Sequence, residues 1–226
     1  PYYNMRLVVK TMENGTYPFI GGAHGGLDPL LNYPLGGTGG RPPLFNMLTI
    51  GVGKFLTLFM DETDAIGYAM QFLPALYGAL LVIPVYFIGK LIFNRKVGII
   101  SALFIALIPI HLSSGHGSAY SLYDHDSFIL LLSTTSLMFL IMSLKEKNVR
   151  KSVILATFSG VFVAAVTMTW VSSQYIYAVI AVYGIVQMIM DIFTKRISVH
   201  VVRSILIPLF TGYIPVSYTH LTLPTN

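Results

Sequence analysis

The sequence predicts an all-α membrane protein whose helices cross a lipid bilayer several times. Of its 226 residues, 54% are hydrophobic and only 10% are charged, whereas soluble domains carry roughly 25% charged residues. The mean hydropathy is +0.71, and several apolar stretches approach or exceed the roughly 20 residues that cross a bilayer as a helix. The net charge of +5 comes largely from basic residues in short loops between these stretches, so it does not indicate nucleic-acid binding.

The first 42 residues do not have the composition of a membrane span. They contain nine of the 20 glycines and five of the 12 prolines, and such density interrupts regular structure. A short helix is expected within residues 2–12. The apolar segment 44–60 has 17 residues and carries Lys54 in its interior, which is the lower limit of length for a span. Its composition favours an interfacial helix over a span, and both alternatives stay open at this point.

Six further apolar stretches are predicted to be transmembrane helices, the second of them short. They cover residues 69–93, 97–111, 127–144, 152–170, 175–192 and 201–215. Residues 216–226 differ abruptly from the apolar stretch before them. We interpret this segment as a non-native tail that resembles translated adapter sequence, and we expect the natural protein to extend beyond both ends of the chain.

The charged loops predict the orientation of these spans. Basic loops at residues 94–96, 145–151 and 194–196 alternate with loops that lack lysine and arginine. Under the positive-inside rule the basic loops are cytoplasmic. Residues 112–126 and the acidic run 61–64 are therefore predicted to lie on the extracytoplasmic face.

The candidate site is Asp124-His125-Asp126, at the beginning of a predicted span. Carboxylates at the end of an apolar span are costly unless they bind something, and their oxygens suit magnesium, manganese or calcium. Asp124 and Asp126 are therefore candidate metal ligands. An equally weighted alternative is that both acids only cap the following helix, where negative charge favours the helix dipole. The predicted extracytoplasmic position argues against an ATP-dependent enzyme.

Arg6 is the third candidate site residue. It follows two adjacent tyrosines near the beginning of the chain, and its guanidinium group suits a phosphate or an acidic side chain. We predict that it pairs with one of these.

Several stretches together resemble the catalytic subunit of oligosaccharyltransferase, most closely its archaeal form. Pro-Tyr-Tyr-Asn-Met-Arg-Leu at residues 1–7 is similar to the segment that follows the family's first span. Asn-Tyr-Pro at 32–34 and Arg-Pro-Pro-Leu-Phe at 41–45 resemble its first external loop. Leu-Pro-Ala-Leu-Tyr-Gly-Ala-Leu at 73–80, Ile-Pro-Val-Tyr at 83–86 and Tyr-Asp-His-Asp-Ser-Phe at 123–128 resemble its second span and second acidic motif.

The resemblance implies the transmembrane domain of a GT-C glycosyltransferase. Residues 1–66 would form the first external loop with short or interfacial helices, and residues 67–215 would form the six spans. The implied activity is the metal-dependent, inverting transfer of a glycan from a dolichol-linked donor to asparagine in Asn-x-Ser/Thr. Asp124 and Asp126 would bind the divalent cation, Mn²⁺ or Mg²⁺, and Arg6 would belong to the catalytic site. The implied location is the archaeal plasma membrane, with the active site on the extracytoplasmic face and no nucleotide involved.

Three parts of the family pattern are not in this chain. The first-loop aspartate would immediately precede Pro1, and the later-loop glutamate and the acceptor-reading Trp-Trp-Asp-Tyr-Gly motif would follow residue 226. The chain is therefore expected to be inactive alone. Two alternatives stay open: another GT-C enzyme that uses a lipid-phosphate sugar, such as a protein O-mannosyltransferase, and a membrane transporter. The middles of the spans lack charge and show no repeat, which disfavours a transporter.

Overall fold

The protein is built almost entirely from helices in the computed structural model, which describes residues 2–15, 17, 27–28, 37–38, 42–108, 118–195 and 198–221. The described residues form eight helices: α1 Tyr2–Asn14, α2 Leu44–Leu56, α3 Glu62–Ile92, α4 Arg95–Leu107, α5 Asp126–Lys145, α6 Val149–Thr167, α7 Gln174–Thr194 and α8 Val199–Leu221. Two short strands, β1 Leu27–Asp28 and β2 Gly37–Thr38, pair antiparallel between α1 and α2. The predicted all-α fold is confirmed.

Four of these helices are long and apolar enough to cross a membrane: α3, α5, α6 and α7. In α8 the apolar part is Val199–Ile214, and α2 is likewise a shorter apolar helix. The 13 residues of α4 extend about 20 Å, less than the roughly 30 Å of hydrocarbon in a bilayer. The predicted second span reached residue 111, and residues 109–111 lie outside the described part of the chain. The six-span arrangement therefore stays a prediction.

Helix α3 begins earlier than the apolar pattern predicts. Its first residue is Glu62, whereas the predicted span began at residue 69. Glu62 and Asp64 lie in its first turn, where negative charge is favourable beside the exposed N–H groups of a helix. Residues 62–64 of the acidic run are therefore the first turn of a helix, and Asp61 is its N-cap residue. Pro74 and Pro84 lie inside α3, a pattern that membrane helices tolerate.

Two asparagines fix the helix starts after the basic loops. The side chain of Asn94 accepts a hydrogen bond from the backbone N–H of Val97, and Asn148 accepts one from Lys151. Each satisfies an N–H group that the first turn leaves without a helical partner. Short connections of this kind place α4 beside α3 and α6 beside α5.

Small residues allow close packing among α5, α6 and α8. The hydroxyl oxygens of Ser136 and Ser159 lie 3.1 Å apart between α5 and α6. Near the other end of α5, Ser143 donates to Ser204 of α8 at 3.0 Å. Interfaces of this type are frequent between membrane helices, because small side chains let the backbones approach.

The predicted tail, residues 216–226, overlaps the end of α8. The helical backbone continues through residue 221, and residues 222–226 lie outside the described part of the chain. The interpretation of this segment as non-native stays a prediction.

Candidate metal centre

The candidate site lies at the beginning of α5, where residues 118–125 lead into the helix. Ser121 adopts a left-handed backbone conformation with φ of 68°, and its N–H donates to the carbonyl oxygen of Gln71 in α3 at 2.9 Å. The N–H of Asp124 donates to the carbonyl of Leu122 at 2.8 Å. These bonds fold the chain tightly against α3 just before the acidic pair.

Three adjacent side chains bring possible metal ligands together. One ligand atom from each of Asp124, His125 and Asp126 lies within 4.8 Å of the others. Asp124 and His125 are buried, at 8% and 6% exposure, whereas the side chain of Asp126 is 33% exposed. His125 Nδ1 lies 2.6 Å from Oδ1 of Asp124, and Nε2 lies 3.8 Å from Oδ1 of Asp126. The imidazole therefore lies between the two carboxylates.

The structure distinguishes the two acids with respect to helix capping. The N-cap residue is His125, and it makes no side-chain cap hydrogen bond. Asp124 accepts a bond from the adjacent N–H of His125 at 2.7 Å, not from the second or third helical residue as a capping side chain does. Asp126 lies in the first turn, where the dipole stabilises its charge. Capping accounts for Asp126 but leaves the burial of Asp124 unexplained.

The charge of Asp124 is maintained in spite of its burial. Burial raises the pKa of this carboxyl group, but hydrogen bonds from the side chain and backbone of His125 outweigh it and lower the pKa from 3.8 to about 2. Asp124 is therefore a carboxylate at neutral pH, the form that binds a cation.

Helix α1 contributes a buried amide that the sequence did not single out. Asn4 is 2% exposed, and its Nδ2 donates to Oδ1 of Asp124 at 3.3 Å. It shares the buried face of α1 with Leu7, Val8 and Thr11, at the spacing expected of one helix face. An amide at helical spacing from Leu7 and Val8 was the signal that could have identified it.

Tyr123 is a second residue that sequence reasoning missed. It is fully buried, and its hydroxyl lies 3.0 Å from Oδ1 of Asn46 and 2.8 Å from Oγ1 of Thr49, both on α2. Burial raises the pKa of Tyr123 well above its ordinary value, so the hydroxyl keeps its proton as a donor. Its ring stacks on Phe45 with centroids 4.8 Å apart.

The imidazole of His125 is bordered by aromatic rings from two other parts of the chain. The rings of Phe45 on α2 and Trp170 after α6 each lie 6.4 Å from it, centroid to centroid. The backbone N–H of Leu44 donates to the carbonyl of Met168 at 2.9 Å, which joins α2 to the α6–α7 connection. The site is thus bounded by the beginnings of α2 and α5 and by the α6–α7 connection.

Arg6 is half-buried on α1. It lies two positions after Asn4, and its Cα is therefore about 200° further around the helix. Arg6 therefore does not lie on the face of α1 through which Asn4 contacts Asp124. Its participation in the site stays a prediction.

The donor set fits a divalent cation. Two carboxylates supply hard oxygen ligands of the kind that Mg²⁺ and Mn²⁺ prefer, and the imidazole adds a nitrogen that suits Zn²⁺. Three adjacent residues seldom complete a coordination shell, so further ligands have to come from elsewhere in the fold, from water or from a substrate. The residues present therefore fit part of a metal site.

These features define a helical membrane protein with an acidic, partly buried site at one end of its bundle. Residues 1–223 match the family described as "Oligosaccharyl transferase STT3, N-terminal". The chain belongs to this family, which confirms the resemblance seen in the sequence and favours it over the O-mannosyltransferase and transporter alternatives.

Curated relatives are archaeal. The chain is 27% identical over 189 residues to dolichyl-phosphooligosaccharide-protein glycotransferase 2 of Archaeoglobus fulgidus, covering 83% of this chain and 28% of that protein. It is 31% identical over 111 residues to dolichyl-monophosphooligosaccharide–protein glycotransferase AglB of Haloferax volcanii, covering 48% of this chain and 10% of that protein. The chain thus spans between a tenth and about three tenths of the length of these relatives.

Solved structures of the Archaeoglobus fulgidus oligosaccharyltransferase share the fold. The apo form matches with a TM-score of 0.73 and 19% identity, covering 95% of this chain and 25% of that one. A complex of AglB from the same organism with an inhibitory peptide and a dolichol-phosphate matches with a TM-score of 0.75 over the same shares. Others are a complex with Zn and sulfate and a form tethered to an acceptor peptide containing the NVT sequon.

Proposed function

We propose that this chain is the membrane-embedded N-terminal part of an enzyme that transfers a lipid-linked oligosaccharide to asparagine in Asn-x-Ser/Thr. Family membership over residues 1–223 supports the reaction class. The observation that carries the assignment to a site is the buried Asp124 carboxylate beside His125 and Asp126. Because the chain covers about a quarter of its solved relatives, we assign the complete activity to a protein of their length and expect this segment to be inactive alone.

We assign the divalent cation to Asp124 and Asp126, with His125 as an additional nitrogen donor. Mn²⁺ or Mg²⁺ fits the two carboxylates, and a structure of a relative contains Zn. When bound, such an ion orients the carboxylates and stabilises negative charge on the leaving phosphate.

Asp124 and Asp126 have a second task in the proposed reaction, and Arg6 has another. The bond between the anomeric carbon and the lipid phosphate breaks, a bond from that carbon to the asparagine nitrogen forms with inversion, and the amide loses one proton. An amide nitrogen is a poor nucleophile because its lone pair is delocalised into the carbonyl. We also assign Asp124 and Asp126 to the amide: their carboxylates would accept its N–H groups, which weakens the conjugation, and would take up the proton. Arg6 is assigned to the lipid phosphate, which a guanidinium group binds through paired N–H donors.

The proposed partners follow from the same chemistry. The donor is an oligosaccharide on dolichol phosphate or diphosphate, and the acceptor is a polypeptide with Asn-x-Ser/Thr. Relatives have been solved with a dolichol-phosphate and with a sequon peptide. The donor is already activated, so no nucleotide is required.

The proposed location is the archaeal plasma membrane, with the site on the extracytoplasmic face. The basic loops at residues 94–96, 145–151 and 194–196 support this orientation. The beginning of α5 carries Asp126 and its end carries Lys145, about 30 Å away along a helix of 20 residues. The acidic site and the basic loop therefore lie at opposite ends of one membrane-length helix.

The test uses the complete open reading frame that encodes this chain, expressed in membranes and supplied with lipid-linked oligosaccharide, Mn²⁺ and a labelled Asn-x-Thr peptide. Glycopeptide formation is expected from the unaltered protein and its loss from Asp124→Ala and Asp126→Ala. Asp64→Ala removes an exposed acid in the first turn of α3 and is the matched control that keeps activity. Undiminished transfer by Asp124→Ala would contradict the metal-site assignment.

A further inference from the structure

We propose that Tyr123 is a positioning residue. Its hydroxyl forms hydrogen bonds to α2 that hold residues 121–126, the acidic segment, in place and thereby raise the affinity of Asp124 for the divalent cation. This inference rests on the proposed function, because it assigns a role towards the proposed metal site. It goes beyond that function, because it concerns a fully buried side chain that is not one of the proposed metal ligands.

The first observation is the direction of the hydrogen bonds around the Tyr123 hydroxyl. Thr49 uses its proton on the carbonyl oxygen of Phe45 at 3.1 Å, so Thr49 Oγ1 accepts from Tyr123. Asn46 uses its Nδ2 on the hydroxyl oxygen of Tyr17 at 2.8 Å, so its Oδ1 is turned towards Tyr123. The tyrosine proton is therefore shared between two acceptors that are both 1% exposed or less.

The second observation is that packing holds the ring of Tyr123 in one orientation. It is stacked on Phe45 at an interplanar angle of 27°, and Phe45 is itself 1% exposed. The stacking holds the plane of the ring, and the hydroxyl bonds hold its far end. Together they fix the backbone of residue 123, which is bonded directly to Asp124.

The third observation is that three residues of the segment 121–124 are attached to three different helices. Ser121 N–H is bonded to Gln71 of α3, and Tyr123 is bonded to α2. The side chain of Asp124 receives the amide of Asn4 from α1. The bonds of Tyr123 form a tether that attaches the residue next to Asp124 to α2.

The physical consequence is that the tyrosine hydroxyl limits the positions available to the Asp124 carboxylate. Metal affinity depends on ligands that are already placed, because ordering them at the moment of binding costs free energy. Groups that orient ligands from outside the coordination shell typically change metal affinity by about 10–100-fold when they are removed. Loss of one hydroxyl at residue 123 is expected to act in this way without removing a ligand.

The experiment compares two tyrosines of the same aromatic cluster in the complete protein. Tyr123→Phe keeps the stacked ring and removes the tether. Tyr77→Phe is the matched control, because Tyr77 is also buried and packs with centroids 4.5 Å from Phe128, while its hydroxyl has no hydrogen bond to another described residue. Binding of Mn²⁺ is measured from the free-ion electron paramagnetic resonance signal, and hydrogen–deuterium exchange of residues 121–126 is measured by mass spectrometry without metal.

A third variant separates positioning from simple loss of stability. Tyr123→Phe leaves the oxygens of Asn46 and Thr49 buried without a donor, which destabilises the fold. Combining it with Thr49→Val removes the nearer acceptor, and the combined variant should recover part of the lost thermal stability. It still lacks the tether, so its metal affinity should stay low and exchange in residues 121–126 should stay fast.

The expected result for Tyr123→Phe is a rise of about tenfold or more in the dissociation constant for Mn²⁺, with faster exchange in residues 121–126. Tyr77→Phe should match the unaltered protein in both measurements. Equal behaviour of the two single variants, or recovery of Mn²⁺ affinity together with stability in the combined variant, would overturn the positioning role. Absence of Mn²⁺ binding by the unaltered protein would instead overturn the proposed metal site and this inference with it.

Discussion

Asn4 and Asp124 are joined by a hydrogen bond of 3.3 Å although 120 positions separate them in the chain. The bond connects the buried face of α1 to Asp124, which lies two positions before the first residue of α5. The accepting oxygen, Oδ1, also receives the backbone N–H of His125 at 2.7 Å. Oδ1 of Asp124 is thus held by hydrogen bonds from two sides, one from the adjacent residue His125 and one from Asn4 on α1.

Replacing Asn4 by leucine should weaken metal binding without removing a ligand. The change keeps a side chain that branches at Cγ and deletes the donor to Asp124. We expect the dissociation constant for Mn²⁺ to rise by about tenfold, as for other residues that orient metal ligands from outside. Isothermal titration of the purified protein measures this.

The matched control for Asn4→Leu is Thr11→Val on the same buried face of α1. Thr11 donates to the carbonyl oxygen of Leu7 within its own helix, at 2.6 Å, and that carbonyl is part of the helical ladder. The control should bind Mn²⁺ as the unaltered protein does. An equal loss of affinity in both variants would indicate general damage to α1 rather than loss of the Asn4–Asp124 bond.

The sequence predicted the helical fold well because the lipid environment leaves few alternatives. Apolar stretches of sufficient length have to be helices within a bilayer, and α3, α5, α6 and α7 were found where hydropathy placed them. The beginning of α3 at Glu62 was missed, because hydropathy reports the apolar length and not the polar turn that precedes it. Capping and dipole effects set such starts, and they depend on a few polar residues.

The candidate site was predicted only in part, since sequence shows adjacency along the chain but not contact across it. Asp124 and Asp126 could be identified because acids are rare beside apolar spans. The contacts of Asn4 and Asn46 could not, because they depend on how α1 and α2 pack against the beginning of α5. The burial of His125 likewise depends on Phe45 and Trp170, which come from other parts of the chain.

His125 should contribute to metal selectivity. Its Nε2 is 3.8 Å from Asp126 and its Nδ1 contacts Asp124. The ring therefore lies between the two carboxylates, where a ring nitrogen would be a third ligand of the bound ion. Imidazole suits Zn²⁺ better than Mg²⁺ or Mn²⁺. We expect His125→Ala to reduce the affinity for Zn²⁺ more than the affinity for Mn²⁺ in competition titrations. An equal reduction for both ions would show that the ring only orients Asp124.

The orientation in the membrane can be tested directly because the chain contains no cysteine. Tyr120 and Lys147 are exposed residues near opposite ends of α5. The positive-inside rule predicts that Tyr120→Cys reacts with a membrane-impermeant maleimide in intact cells, whereas Lys147→Cys reacts only after permeabilisation. Reversed labelling would place the acidic site in the cytoplasm and contradict the proposed reaction, which uses a donor on the outer face.

The contact between α6 and α8 should depend on a glycine. A methyl group at Gly160 would lie 2.6 Å from Cβ of Thr211 and 3.0 Å from the backbone of Pro208, so α8 would have to move away. We expect Gly160→Ala to destabilise the protein by about 1–3 kcal/mol, the usual cost of overpacking. Gly67→Ala is the control, because a methyl group there meets nothing within 4 Å and alanine favours a helix by about 0.5–1 kcal/mol over glycine. Thermal unfolding in detergent should therefore show a lower midpoint for Gly160→Ala and an equal or higher one for Gly67→Ala. If both variants unfold at the midpoint of the unaltered protein, α6 and α8 are not in close contact at this glycine.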